Sequence, residues 1–417
     1  HDLGTHLGCY GEKSVETPAL DSLAAEGLVA DNHFCTAPFC SPSRGAIYTG
    51  KYPHSNGLMG LIHLGWDLPD DHITLAQALG DSGYDTFLFG LQHEIKNTEK
   101  LGFDFVSDRS KSKKCDLVAP EVIDFLQKRN QNNDKPFYAR VGFFEVHRPY
   151  EDYEPGNIDD IEIPPYIEDT PQARRDFAKF HGSINKMDKA VGEIIKELDS
   201  TGLKDNTIVI FTTDHGIAFP RAKATLYDPG INTTLIMRWP KVIEKKRRVD
   251  QLLSNIDLYP TILDLAGVQN PSYLEGHSFS NLIYNKDYKP RSHIFAEKNT
   301  IPDDIKRCIR TKRYKYIRNY NQGPMLHLPT DIEKSLTRSG MGDSHLKKRP
   351  EKELYDLKND PHEKNNLAGI AKYREIENNL SDGLDKIMTE TNDPLVTGEI
   401  TRPDGEEEIL RDIFRDL

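Results

Sequence analysis

The residues with the most chemistry in this 417-residue chain stand together at Cys40-Ser41-Pro42-Ser43-Arg44, followed by Gly45-Ala46-Ile47-Tyr48-Thr49-Gly50. Ser41 and Pro42 read as a helix start, with a side-chain oxygen at the N-cap and a ring of preset φ behind it. Ala46 and Ile47 fall in the helix body, and Gly50 suits its end. Cys40 then stands just before a helix N-terminus, where unpaired N–H groups attract anions. Arg44 is one turn along and can return its guanidinium to the same spot. This is the place for a nucleophile that acts on an anionic group. The bland alternative is a buried, inert cysteine ahead of a capped helix.

Other chemistry-bearing residues follow predicted strands. Ile208-Val209-Ile210-Phe211 is a continuous apolar run, expected as a strand buried on both faces of a parallel sheet, and Asp214-His215-Gly216 comes just after it. His1-Asp2-Leu3-Gly4 reads as the loop after a first strand, with that strand and any export signal expected upstream. In open α/β sheets ligands bind beyond the carboxyl ends of strands, so Asp2 and Asp214 are expected at one edge. Their oxygens suit Ca²⁺ or Mg²⁺, although each residue also suits a plain cap. His93 follows a strand at Thr86–Phe89, and His147 follows one at Phe137–Phe144. Arg148, beside His147, is a candidate for binding a substrate anion. His54 and His63 flank a loop, Ser55 to Trp66, that can rim the pocket.

The elements that must carry these residues alternate between strand and helix. Helices are expected from Thr17-Pro18, over Thr74–Leu79 with Gly80 as terminator, over Glu121–Leu126 and over Arg174–Leu198; Leu235-Ile236-Met237 is a further strand. The order indicates a doubly wound α/β fold, a large, mixed but mostly parallel sheet sandwiched by helices. After about Asn285 the pattern changes. Alternating basic and apolar residues over Arg307–Tyr320 suggest antiparallel strands with one wet face. A strand at Glu353–Leu357 and a helix over Ala371–Met388 complete a smaller α+β subdomain. The division is therefore 1–285 for catalysis and 286–417 for the C-terminal subdomain. Asn321 to Arg349 is a long irregular insertion, a kind of segment that is functional or disordered.

Composition limits the function classes. The net charge of −12 argues against nucleic acid and anionic membrane surfaces, and makes any cationic groove local. No apolar run reaches the ~20 residues needed to span a bilayer. Five cysteines, at 9, 35, 40, 115 and 308, imply no disulfide scaffold.

The run Cys-x-Pro-Ser-Arg, with Thr49-Gly50 five residues beyond Arg44, resembles the signature of the type I sulfatases of the alkaline phosphatase superfamily. The resemblance extends from His1-Asp2-Leu3-Gly4 to Asn365-Asn366-Leu367-Ala368. It implies an alkaline-phosphatase-like sheet and hydrolysis of sulfate esters or N-sulfate on carbohydrates. It further implies oxidation of Cys40 to formylglycine, whose hydrate is the nucleophile, by a formylglycine-generating or anaerobic sulfatase-maturating enzyme. Asp2, Asp214 and His215 become ligands of a divalent metal, Ca²⁺ before Mg²⁺, together with residue 40 and His1. Arg44 stabilises the alkoxide, Lys223 contacts sulfate and the leaving oxygen, His147 near the leaving group is the candidate acid, and His93 takes the proton when sulfate departs. A periplasmic or secreted location follows from the same resemblance.

Several segments are similar to heparan N-sulfatases (sulfamidases) and their bacterial relatives: Asn56–Leu61, Gln92-His93-Glu94, Gly216–Pro220, Leu328–Asp331 and Glu353–Asp356 through Asp360–Glu363. The chain departs from the family pattern twice. His1 stands where an aspartate is usual, and Leu91 replaces the lysine of Gly-Lys-x-His. Three other readings stay open: a phosphate or phosphonate ester hydrolase of the same superfamily, a non-catalytic carbohydrate-binding homologue, and a cysteine acting as a plain thiol.

Overall fold

The computed structural model describes residues 1–107, 113–129, 135–301, 304–406 and 408–410. Thirteen strands occur among them: β1 Leu28–Ala30, β2 His33–Phe34, β3 Asp85–Gly90, β4 Phe105–Val106, β5 Phe137–Gly142, β6 Val209–Thr212, β7 Leu235–Arg238, β8 Arg247–Val249, β9 Leu253–Ser254, β10 Ile294–Lys298, β11 Lys306–Arg310, β12 Tyr314–Asn319 and β13 Lys352–Asp356. The α/β part is mixed and mostly parallel, and it is distributed over three small sheets. Strands β4-β3-β5 and β2-β9 pair in parallel, while β6-β7-β1-β8 combines two antiparallel contacts with a parallel one.

Parallel pairing of β3 with β5, from Asp85↔Phe137 to Gly90↔Gly142, delivers the segments after both strands to one edge. Gly90 makes that exit possible. Its φ is +78°, and a Cβ there would lie 2.1 Å from the Gly142 carbonyl oxygen. The helix Pro171–Ser200, capped by Thr170, packs Phe177, Phe180 and Ile184 onto Leu3, Leu20 and Phe219 below that edge.

Several elements differ from expectation. The helix carrying Cys40 runs Cys40–Thr49, so its N-cap is the extended Phe39 and Cys40 occupies the first turn. Ser41 is inside the helix, where its hydroxyl accepts from the Ile62 amide. Gly50 ends the helix as expected, at φ 64°. Gly80 does not end its helix, which continues to Asp81 and is held by a capping box between Thr74 and Gln77. The helix around residue 121 extends over Cys115–Arg129 and carries Pro120 inside it, past its first turn. Strand β6 is half-buried rather than covered on both sides. A cavity of about 660 Å³, lined by Ala139 and Val141 of β5 and by Val209 and Phe211 of β6, adjoins it.

The C-terminal sheet β10-β11-β12-β13 is antiparallel throughout. The expected wet face is absent, since β11 is buried at every position. Ile294, Cys308 and Ile317 pack on Phe34, Leu226 and Tyr227 of the α/β part. Phe295, Ile309 and Tyr316 pack under Leu380 and Leu384 of the helix Arg374–Glu390. The basic residues are buried against acids instead. Arg307 pairs with Asp393, and Lys315 lies 2.7 Å from both Asp228 and Glu363. The expected boundary at 285 falls between the helix Ser280–Ile283 and β10. The insertion is ordered into short helices at Thr330–Glu333 and Leu336–Gly340.

Candidate active site

The first turn of the Cys40 helix meets the loop after β6. Ser43 Oγ donates to the Asp214 carbonyl at 2.5 Å, and Asn255 Nδ2 donates to Ser43 Oγ at 3.1 Å. The Asp2 amide donates to Asp214 Oδ1 at 3.0 Å, and the Gly4 amide donates to the His215 carbonyl at 2.9 Å. The chain therefore enters this edge already fastened to the loop after β6.

Cys40 Sγ lies 3.4 Å from His215 Nε2 and 4.0 Å from His1 Nδ1. Asp2 Oδ1 is 3.0 Å from His215 Nε2 and 2.9 Å from His1 Nδ1. One atom each from His1, Asp2, Cys40, Asp214 and His215 lies within 4.8 Å of the others, so the five can converge on one ion. All five side chains are buried or nearly so, which favours a cation that offsets the two carboxylates. The donors are mixed: two carboxylates suit any hard divalent ion, while two imidazoles suit first-row transition metals better than Ca²⁺.

Electrostatics tie the cluster together. Burial opposes ionisation of the Cys40 thiol, but His1, Lys223 and His215 outweigh it and hold the thiol well below its ordinary range. Burial likewise opposes charge on His1, yet Cys40, Asp214 and Asp2 raise it to about 9. For Asp214, burial is outweighed by His215, His1 and Arg44, which keep it ionised.

Lys223 Nζ donates to Asp2 Oδ2 at 2.8 Å and to Asp331 Oδ2 at 2.7 Å, and lies 3.3 Å from His147 Nε2. Burial disfavours its charge, but Asp2 and Asp331 keep it protonated. His147 Nδ1 bonds the Arg148 carbonyl, so Nε2 faces Lys223 as the acceptor. Burial and then Lys223 lower the pKa of His147. In this arrangement the proton between the two groups rests on Lys223.

Arg44 does not reach back to Cys40 directly. Its Nε donates to Asp214 Oδ2 at 2.9 Å, and its far end lies 3.9 Å from Glu94. Fully buried Glu94 also takes the guanidinium of Arg140, which lies 4.2 Å above the Tyr48 ring. His93 makes no hydrogen bond to residue 40. Its ring stacks on His63 at 5.9 Å, and its Nδ1 is buried without a partner. His54 is enclosed by Glu297 and Thr391, away from the cluster.

Arg148 is the candidate whose place differs most from expectation. Its Nε donates to the Ala218 carbonyl, and its two terminal nitrogens grip Asp176. Three of its five N–H donors are committed to the protein in this way. Asp331 carries no chemical signature in the sequence, because an aspartate in an aperiodic insertion gives no local sign of what it will face.

A sulfatase family model matches residues 2–268, well over half of the chain. The chain belongs to the sulfatase family. A second model, N-sulphoglucosamine sulphohydrolase C-terminal, matches residues 215–335. An ulvan-active sulfatase of Formosa agariphila is 31% identical, over 89% of this chain and 75% of its own length. The human N-sulphoglucosamine sulphohydrolase is 28% identical, over 97% of this chain and 90% of its own. The fold of this sulfatase is that of BT4656, solved in complex with its substrate D-glucosamine-2-N,6-O-disulfate, with TM-score 0.74, 22% identity and coverage of 94% and 96%.

Proposed function

We propose that this sulfatase hydrolyses sulfate esters or N-sulfate groups on sulfated carbohydrates, in particular oligosaccharides derived from polysaccharides, and releases inorganic sulfate. The observation that carries this reading is the convergence of Cys40, Asp2, Asp214, His215 and Lys223 at one edge of the α/β part. The relatives named for ulvan and for N-sulphoglucosamine support the carbohydrate class.

In this reading Cys40 is converted to formylglycine by a maturating enzyme, and Sγ stands where the oxygens of the hydrated aldehyde belong. That hydrate supplies the nucleophilic oxygen. The chain's own residues do the rest. Asp2, Asp214 and His215, with His1, hold a divalent metal, for which Ca²⁺ is the expectation from the family resemblance. Arg44, fixed by Asp214 and Glu94, offers a cation to the developing negative charge beside residue 40. Lys223 donates the proton to the departing oxygen or nitrogen, and His147 Nε2 orients it. His93, with its unpartnered nitrogen, is the base that takes the hydroxyl proton as sulfate leaves. A periplasmic or secreted site of action suits polymeric substrates; no helix among the described residues is long and apolar enough to cross a membrane.

The 3.4 Å approach of His215 to Sγ favours one second reading, a thiolate nucleophile at an unmodified Cys40. Mass spectrometry of the residue-40 peptide from the native host, paired with sulfate release by the wild type and Cys40→Ala, separates the two. An aldehyde at residue 40 with activity abolished in the variant supports the proposal. Turnover retained in Cys40→Ala overturns it.

A further inference from the structure

We propose that Asp331 is a specificity residue that demands a hydrogen-bond donor on the sugar next to the sulfated position. The inference rests on the sulfatase reading and narrows the substrate that the site accepts.

A carboxylate is out of place where an anion must bind. Like charges a few ångström apart repel, and more so where water is thin. Yet Asp331 stands beside the cluster, 2.7 Å from Lys223 and 3.8 Å from His147 Nε2, with its side chain 21% exposed. Asp2 also pairs with Lys223, at 2.8 Å, so Asp331 is the second carboxylate on one cation. Asp331 is also held in place. Its Oδ1 accepts the Ile332 amide at 3.0 Å, which leaves Oδ2 facing the leaving-group side. The insertion that delivers it is docked through Thr337, whose amide and hydroxyl both donate to Asp176.

A substrate group positioned by Lys223 and His147 therefore meets a fixed acceptor. The bridging oxygen of a sulfate ester has no proton to offer it. A sulfamate N–H does, and so does a free hydroxyl on the adjacent carbon. Either one converts Asp331 from a repulsive neighbour into a partner, whereas a substrate lacking both leaves a desolvated carboxylate facing the sulfate. Both sources share one chemistry, a donor one or two bonds from the sulfated atom.

The test compares wild type, Asp331→Asn and Asp331→Ala on four probes: N-sulfoglucosamine, an O-sulfated hexose with a free vicinal hydroxyl, its vicinal deoxy analogue, and an aryl sulfate with no neighbouring donor. Sulfate release gives kcat/KM for each. The expectation is a fall of at least about tenfold in the sugar-to-aryl ratio for both variants. The deoxy analogue should lower the wild-type rate and add no further loss to the variants if the donor is the hydroxyl. Loss concentrated on N-sulfoglucosamine assigns the donor to the N–H. An equal loss on sugar and aryl substrates would reduce Asp331 to a support for Lys223 and overturn the proposal, as would an unchanged ratio. If wild type releases sulfate from none of the probes, the sulfatase reading fails first and takes this inference with it.

Discussion

Arg148 grips Asp176 through both terminal nitrogens, at 2.9 and 2.7 Å, while its neighbour His147 meets Lys223. Asp176 passes this grip on to Thr337, so one arginine fixes the insertion to the long helix beneath the site. Breaking a buried pair by removing one partner strands the other, at about 3 kcal/mol. Arg148→Ala should lower stability by that order in denaturant titration and raise proteolysis within residues 321–349. Lost sugar affinity with unchanged stability would return Arg148 to the substrate.

Glu94 lies between two guanidiniums, Arg44 and Arg140, and is fully buried. Glu94→Ala strips Arg140 of its carboxylate and leaves Arg44 held by Asp214 alone. A loss in kcat of at least about tenfold is expected, with KM changed less, because the interaction matters most as charge develops. Glu94→Asp should recover part of the rate. Steady-state kinetics on an aryl sulfate decide the matter.

His1 puts an imidazole where the family pattern has a carboxylate, 3.5 Å from Asp214. Nitrogen donors shift preference toward first-row transition ions. Equilibrated with equal Ca²⁺ and Mn²⁺ and then desalted, the wild type should retain more Mn²⁺ by elemental analysis than His1→Asp does. The same Ca²⁺ share in both proteins would remove any influence of His1 on the metal. A chelator should lower the thermal midpoint in proportion to the metal removed.

His6 and His181 face each other at 2.8 Å in the core, and burial pushes each down to about 3. Both are neutral when folded, whereas the unfolded chain protonates them near the ordinary histidine value of ~6.5. Above that pH they make no difference to stability. As pH falls from about 6.5 toward 3 the unfolded state takes up protons that the folded state refuses, so stability is lost. Each contributes up to about 1.4 kcal/mol per pH unit well inside that window. Urea midpoints at pH 7.5 and 5.5 should diverge less in His181→Asn than in wild type.

The chemistry at strand ends was readable because it is local. A five-residue signature marks Cys40, and apolar runs followed by Asp or His mark the strand exits that carry Asp214, His93 and His147. The distant partnerships were not. Asp176 is 28 residues from Arg148, and nothing in either segment announces the other. The wet face expected for β11 and β12 failed for a related reason. Alternating basic residues look the same whether they meet water or buried acids, and Asp393, the partner of Arg307, lies 86 residues away. Strand β6 read as doubly covered because an apolar run reports what a strand can bury, not how closely its neighbours approach.

The insertion that carries Asp331 emerges between β12 and β13, outside the elements that hold Cys40, Asp2 and Asp214. On the proposed roles, bond breaking and sugar choice are encoded on separate stretches of chain that meet only in space. Diversification can then proceed by lengthening, trimming or recoding residues 321–349 while the residues at the strand ends stay untouched. A library confined to that segment is the economical route to altered sugar preference in this protein.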